Sequence, residues 1–574
     1  LGPAGDTRGA ATRTDEAAAA NREAPVPGGR RRAAVAAAAS LVLLALFAVR
    51  AEDSLRRESP VWDETMHLDY GLNFLRFGPL VPSADHPYPV TALPALPLAL
   101  VAPAPGQVAG TVDVPGTGRR AELRRIEDPR NLHPARRVVV AMATLGLAVA
   151  AWWLARRSGA ALGVAFLALG TLDPGWIAPA RYATTDVAHA LAFLGGGLAL
   201  AHHRARGGWR PLVVAGLFGT LGLASKFSGV LLVPAAFLVH AVPLPGEGPY
   251  AVRRRLGQGV LAAAAVGGIA LAGWLALFQV HALAGLASPA DGWHRVADAV
   301  REFARVRSIP RGTFLLGGFF PDGTRAYLPT LLAAKTPLAL AAAAVPGLAL
   351  PRGRALLRAH RAFLVVPLAY LAAAIASNVN LGHRHLAPFL PALWLAGAAG
   401  LVAVARTVRR GPALAASLGA LLALEGGLAH PHYLPFANAA FGGVDGAHRV
   451  AVDSATDWGQ DLPLVAAYAR AHPPAEGPLH LAYFGTADPA FYGIDAVWRP
   501  CRPLGRPRPR DGAAAPCDAP AGLLAVSATC LQGAAGGARQ DPCWARLRDV
   551  PPEAVLGGSI LVFRDVPAAG NPAP

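Results

Sequence analysis

Asp63 and Glu64 stand side by side shortly after an apolar run that ends near residue 49. Neighbouring carboxylates repel each other, which raises the pKa of at least one, and a raised carboxylate can take a proton as a general base. The same pair would also suit the first turn of a helix, where the backbone dipole favours acids. Cations able to meet an anionic substrate are Lys226, Lys335 and Arg384, each beside or inside an apolar run. Lys226 and Lys335 are the two lysines among 53 basic residues in a chain otherwise served by arginine. An ammonium inside hydrocarbon is costly, so it pairs with an anion, lines a polar cavity or snorkels to the interface. Asp186 follows Thr184 and Thr185 at the start of another apolar run, where it could cap a helix.

Those residues must be positioned by elements of an unusual kind. Of 574 residues, 53% are hydrophobic and 16% charged, against about 25% charged in a typical soluble domain. An ordinary soluble enzyme is thereby excluded. The formal charge of +17 would suit nucleic acid if the arginines were clustered on one soluble domain, but they sit in short groups between apolar runs. Nucleic acid is therefore not an expected partner, and the charge reads as membrane topology. Runs long enough to cross the hydrocarbon layer fall near 33–49, 137–155, 158–174, 184–201, 210–224, 227–243, 257–283, 327–350, 361–377, 385–406 and 412–430. The first follows Arg30-Arg31-Arg32 and lacks a convincing cleavage site, so it reads as an uncleaved span. The expectation is a polytopic α-helical membrane protein with about eleven spans. The proline-rich stretch 91–105 reads as interfacial or re-entrant.

A cytoplasmic N-terminus places Arg156, Arg157, Arg204, Arg206, Arg210, Arg253 to Arg255, Arg352, Arg354, Arg358, Arg361, Arg406, Arg409 and Arg410 on the inside. The shortest outside loops then hold only Arg181, Lys226 and Arg384, as the positive-inside rule requires, although the loop at 284–326 carries six arginines. The resulting organisation is a disordered cytoplasmic tail over 1–29, a membrane domain over 30–430 and an extracytoplasmic C-terminal domain over 431–574. The membrane domain carries large outside loops at 50–136 and 284–326. LLAVSA (523–528), SILVF (559–563) and the helical LPLVAAYARAH (462–472) make the C-terminal domain mixed α/β. All four cysteines, Cys501, Cys517, Cys530 and Cys543, lie in it. Two disulfides in an oxidising compartment are expected, with the connectivity open; the absence of a CxxC pair argues against a thiolate metal site.

Several segments in order resemble a known family. They are Asp63-Glu64, His86-Pro87-Tyr88-Pro89, Thr184-Thr185-Asp186, Ser225-Lys226-Phe227-Ser228-Gly229, Asn380 to Pro388, Asp453-Ser454-Ala455-Thr456-Asp457-Trp458-Gly459-Gln460-Asp461-Leu462, Tyr483-Phe484-Gly485 and Phe491-Tyr492-Gly493. Together they resemble the lipid-carrier-dependent glycosyltransferases of the protein O-mannosyltransferase and aminoarabinose-transferase kind, glycosyltransferase family 39-like. His385 stands where that family commonly has tyrosine. The resemblance implies a GT-C fold and a polyprenyl-phosphate-sugar donor, with an acceptor protein, lipid or glycan at the outer face of a bacterial inner membrane. It also implies Asp63 as the catalytic carboxylate with Glu64 beside it. Asp186 and Tyr182 would line the donor cavity with His86, and Lys226, Lys335 or Arg384 would hold the phosphate.

One base and one cationic clamp suffice for such a transfer, because the phosphate leaves already ionised. No cofactor is required. No HxxxH-type spacing joins His67, His86, His383 and His385, so no metal site is expected, while a divalent metal stays compatible with the chemistry. The alternative class is a secondary transporter or lipid flippase, which should show two pseudo-repeated halves with interrupted helices. No such repeat is visible in the sequence.

Overall fold

The computed structural model describes residues 29–78, 88–114, 118–243, 251–285, 287–308, 312–377, 379–473, 477–499, 501, 522–534 and 544–564. Residues 1–28 of the tail expected over 1–29, together with His86, Cys517 and Cys543, lie outside these residues, while Gly29 opens the first helix.

The apolar runs fold as helices, because hydrocarbon leaves every backbone polar group to be satisfied within its own segment. In chain order they are α1 (Gly29–Leu55), α2 (Trp62–Phe77), α3 (Ala92–Leu100), α4 (Pro129–Ser158), α5 (Ala160–Leu172), α6 (Pro174–Ala180), α7 (Asp186–Arg206), α8 (Trp209–Ser225) and α9 (Leu232–Ala241). There follow α10 (Ala251–Leu283), α11 (Pro289–Ser308), α12 (Tyr327–Lys335), α13 (Leu338–Ala349), α14 (Pro351–Ala359), α15 (Arg361–Ser377), α16 (Leu390–Thr407) and α17 (Gly411–Leu428). Among the described residues α1, α4, α10, α16 and α17 are long and apolar enough to cross a membrane; the count reaches eight if each of three bent pairs is one span. The chain is thus a multi-pass membrane protein, with fewer qualifying spans than the eleven expected. The difference lies in elements such as α7, whose glycines and histidines dilute its apolar run, and α8, which has only 17 residues. Exposed Leu41, Val42 and Val49 on α1 and Leu145 and Trp152 on α4 present the apolar surface that lipid would cover.

Two of the three bends fall at prolines and are held by side chains that meet the broken backbone. Between α5 and α6, bent by 63°, Pro174 interrupts the helix and Asp173 accepts the Gly175 N–H at 2.8 Å and the Trp394 indole N–H at 2.8 Å. Between α12 and α13, bent by 103°, Pro337 does the same. There Glu425 of α17 accepts the Leu338 and Ala339 N–H groups at 2.8 and 3.0 Å, while the Asn438 amide donates to the Ala333 and Thr336 carbonyls at 2.8 and 2.9 Å. Backbone groups orphaned by each break are thereby satisfied.

The segment read as the first large loop carries α2, α3 and an antiparallel hairpin, β1 (Val108–Val114) with β2 (Arg119–Arg124). The second carries α11 and the hairpin β3 (Thr313–Leu315) with β4 (Gly318–Phe320). Beyond α17, the stretch read as helical lies in α18 (Leu462–Ala471). Five strands, β5 (Leu479–Ala482), β6 (Val497–Trp498), β7 (Leu523–Ser527), β8 (Ala554–Leu556) and β9 (Ile560–Arg564), form one sheet in the order β6-β5-β7-β9-β8. β5 pairs parallel with β6 and β7, and β9 antiparallel with β7 and β8. Cys501 and Cys530 form a disulfide in this region. Its sulfurs belong to an apolar cluster with Val61, Tyr182, Trp458 and Phe484, so the sheet shares a core with the start of α2.

Candidate active site

The start of α2 is held by a segment distant in sequence. Ser59 N–H donates to the Gln460 carbonyl at 2.9 Å, Trp62 N–H to the Trp458 carbonyl at 3.0 Å, and the Ser59 hydroxyl to the Gly459 carbonyl at 2.9 Å. Gly459 adopts φ +90°, and a Cβ there would come within 2.7 Å of Gly485 Cα. Only glycine fits this crossing, which seats the 453–460 loop against the residues preceding Asp63.

On that seat the two neighbouring carboxylates part company. Asp63 accepts from Arg384 Nη1 at 2.6 Å, and the two side chains are each 12% exposed. Arg384 Nη1 also lies 3.6 Å from Asp186 Oδ2, and Asp186 accepts from the Lys226 ammonium and, at 2.8 Å, from the Thr184 hydroxyl. Lys226 terminates α8, where the chain turns into the 3-10 segment Phe227–Leu231. Arg384 comes from a 3-10 turn, His383–Leu386, preceded by Gly382 at φ +79° and packed against Ser454. Its guanidinium carbon stands 4.2 Å from the centroid of the Trp458 ring, a cation–π contact. The result is two acids and two cations from four separate elements, roofed by an indole.

Glu64, one residue on, points elsewhere. Both its oxygens engage Arg136 of α4, at 2.9 and 2.7 Å, and they also accept the Ala183 N–H at 2.7 Å and the Val61 N–H at 2.9 Å. Neither side chain of this pair has any exposure. Arg136 spends its remaining donors on the carbonyls of Leu55, Glu58 and Ser59. Glu64 thus anchors the helix start and meets no solvent.

The other expected site residues divide similarly. Tyr182 is fully buried; it accepts from Arg181 at 3.0 Å and stands edge-on to Trp458 at 5.9 Å, so it props the roof instead of lining an open cavity. Lys335 is buried at the end of α12, where its ammonium donates to the carbonyls of Leu434 and Ala455 at 3.0 and 2.7 Å. No carboxylate among the described residues forms an ion pair with it.

Several groups beside the cluster were not singled out from sequence as part of it. His67 lies one turn beyond Asp63, and burial pushes its pKa down against the opposing pull of Asp63 and Asp186. His385 is likewise held well below the usual imidazole range by burial and by Lys226 and Arg384. Asp453, at the unusual φ of +56°, feels Arg384 and Asp63, and burial raises its pKa. Burial also raises Asp457 to about 7. The signal for Asp453 and Trp458 was present in the DSATDWGQDL stretch, whose order suggested importance without saying which side chain meets Arg384. Among the described residues no three His, Cys, Asp or Glu side chains converge as metal ligands.

No family model and no curated protein matches the chain. Among solved structures it is similar to ArnT from Cupriavidus metallidurans in the apo state, at 16% identity over 80% of this chain and 85% of that one, with a TM-score of 0.45. It is also similar to ArnT bound to undecaprenyl phosphate, at 12% identity over 92% and 98% of the two chains and a TM-score of 0.43. A third similarity is to the archaeal oligosaccharyltransferase AglB from Archaeoglobus fulgidus in complex with an inhibitory peptide and a dolichol-phosphate. There the identity is 13% over 77% and 62% of the two chains, with a TM-score of 0.38.

Proposed function

We propose that the chain is an inverting glycosyltransferase that moves a sugar from a polyprenyl phosphate to an acceptor hydroxyl at the outer face of a bacterial cell membrane. The observation that carries this reading is the pairing of Asp63 with Arg384 beside Lys226 and Asp186, with the side chains of Asp63, Arg384 and Lys226 12–13% exposed. A base and a cationic clamp stand together where an anion and a hydroxyl could both arrive.

In the proposed reaction the acceptor oxygen attacks the anomeric carbon from the face opposite the phosphate. Its proton passes to Asp63, the bond from the anomeric carbon to the phosphate oxygen breaks, and that electron pair leaves with the polyprenyl phosphate. Arg384 and Lys226 offset the charge that develops on the leaving oxygen. One displacement inverts the centre. Retention by double displacement would need a second carboxylate free to act as nucleophile; Glu64 is sealed against Arg136, and Asp186 is held by Lys226 and Thr184 at 1% exposure. Glu64 and Tyr182 act in this reading as supports, and Lys335 as a tie to the C-terminal region.

The disulfide and the arginine asymmetry support an extracytoplasmic 431–574 and a cytoplasmic N-terminus. A lipid flippase is the second reading, favoured by the three bent helix pairs. It needs no base. Reconstituted protein supplied with a radiolabelled polyprenyl-phosphate sugar and envelope acceptors separates the two: a transferase releases polyprenyl phosphate and labels an acceptor, whereas a flippase only moves the intact lipid.

A further inference from the structure

Three helices that serve the Asp63 cluster at one end meet again at the other. α4 runs from Arg136, the partner of Glu64, to Arg157, and α7 from Asp186 to Arg206, each about 30 Å along its axis, the thickness of a hydrocarbon layer. α15 begins at Arg361 and ends at Ser377, shortly before the turn that carries Arg384. The far ends of α4 and α15 are tied together: Ser158 Oγ and His360 Nε2 share a hydrogen bond of 2.8 Å, and the Trp153 ring stands 5.6 and 6.3 Å from those of His360 and Phe363. The Arg157 guanidinium lies 4.7 Å from the centroid of the same indole, and Arg206 of α7 is close enough to repel it. Trp152 and Trp209, 63% and 69% exposed, place this end at the level where indoles meet lipid headgroups.

The charge gathered here has one sign. Among the described residues no carboxylate forms an ion pair with Arg157, Arg206 or Arg361. Arg157 and Arg206 lie in the last turns of their helices, where the dipole favours a cation. Arg361 opens its helix with no acid in the first turn, so its charge adds to the positive end of α15. Its Nε and Nη2 atoms are buried and meet no hydrogen-bond acceptor among the described residues. A guanidinium so poorly hydrated attracts an anion at its open side more strongly than a fully solvated one does.

We propose that Arg157, Arg206 and Arg361 form a binding site for the phosphate of an anionic phospholipid in the leaflet opposite the Asp63 cluster. The phosphate accepts from the guanidinium groups and offsets both their mutual repulsion and the helix end, while the acyl chains lie along the apolar surface toward the bilayer centre. The bound lipid joins α4, α7 and α15 and thereby braces the cluster at their other ends. It touches no reacting group, so the inference stands apart from the transferase reading.

The test titrates the full chain in mild detergent with phosphatidylglycerol, counting bound lipid by native mass spectrometry beside the thermal unfolding midpoint. Phosphatidylcholine and inorganic phosphate are the comparison ligands. Phosphatidylglycerol should bind the parent and raise its midpoint, and the other two should do neither at the same concentration. Arg361→Gln should weaken phosphatidylglycerol binding about fivefold, and Arg157→Gln with Arg206→Gln together about twenty- to thirtyfold. Arg157 and Arg206 are exposed, so the double variant keeps the test readable even if Arg361→Gln does not fold. Arg409→Gln, a change at an exposed arginine that none of these contacts involves, should bind like the parent. An equal loss in Arg409→Gln and in the double variant would mean diffuse attraction and overturn the site. Protection by inorganic phosphate as strong as that by the lipid would overturn the lipid assignment, and equally tight phosphatidylcholine binding would overturn the role of the arginines.

Discussion

Two arginine–carboxylate pairs begin from adjacent residues and have opposite characters. Glu64 with Arg136 is sealed, with no exposure and every oxygen multiply engaged, while Asp63 with Arg384 is 12% exposed and roofed by Trp458. A helix turns about 100° per residue, so neighbours on α2 face different partners. The sealed pair cannot trade its partner without stranding a buried charge. The open pair can. Burial, and not the residue types, separates the two pairs.

Removing the open carboxylate should have the largest effect. Asp63→Asn is expected to lower transfer by roughly 10²–10⁴-fold, the usual contribution of one general base, with no fall in the thermal unfolding midpoint. Turnover assays on purified protein, read beside its melting curve, check this; activity within a few fold of the parent would move the base elsewhere.

The sealed pair should respond in the reverse manner. Glu64→Gln strands Arg136 and is expected to cost about 3–5 kcal/mol of stability, seen as lost yield and a lowered midpoint. The molecules that do fold should keep near-parent turnover. A stable Glu64→Gln protein with no activity would erase the distinction between the two pairs.

Both pairs lean on the C-terminal region, so the Cys501–Cys530 disulfide offers a third test. Its cysteines are 29 residues apart in the chain and belong to the cluster that contains Val61 and Trp458. Cys501→Ser is expected to cost about 2–4 kcal/mol, with Asp63-dependent activity falling as the sheet loosens. Limited proteolysis of the C-terminal region alongside turnover would show whether the two losses coincide.

The smallest expected effect concerns pH. Asp457 accepts the Thr529 N–H at 2.9 Å, and burial raises its pKa to about 7. A carboxyl raised in the folded state contributes stability that is complete below the ordinary carboxylate range and is lost as pH climbs to about 7. Asp457→Asn has no such proton to lose, so the midpoint difference between pH 5 and pH 8 should shrink relative to the parent. An unchanged difference would mean that Asp457 is already ionised in the fold.

The apolar runs made the membrane class legible, because a span is a local property: length and hydropathy decide it within one segment. α1, α4, α10, α16 and α17 coincide with runs read from the sequence. Bends were less legible. Pro337 marks one, but its 103° turn depends on Glu425 and Asn438, each about a hundred residues away along the chain.

For the site, the sequence by itself determined which residue types were available: adjacent acids, two rare lysines and an arginine between two histidines. The tertiary structure decided their partners. It set Asp63 against Arg384 and Glu64 against Arg136, turned Lys335 toward two carbonyls, and laid Trp458 over the guanidinium. The physical reason is that a charge in a poorly solvated setting is defined by what neutralises it. Here the neutralising groups lie 72 to 321 residues away, a distance that local spacing does not encode.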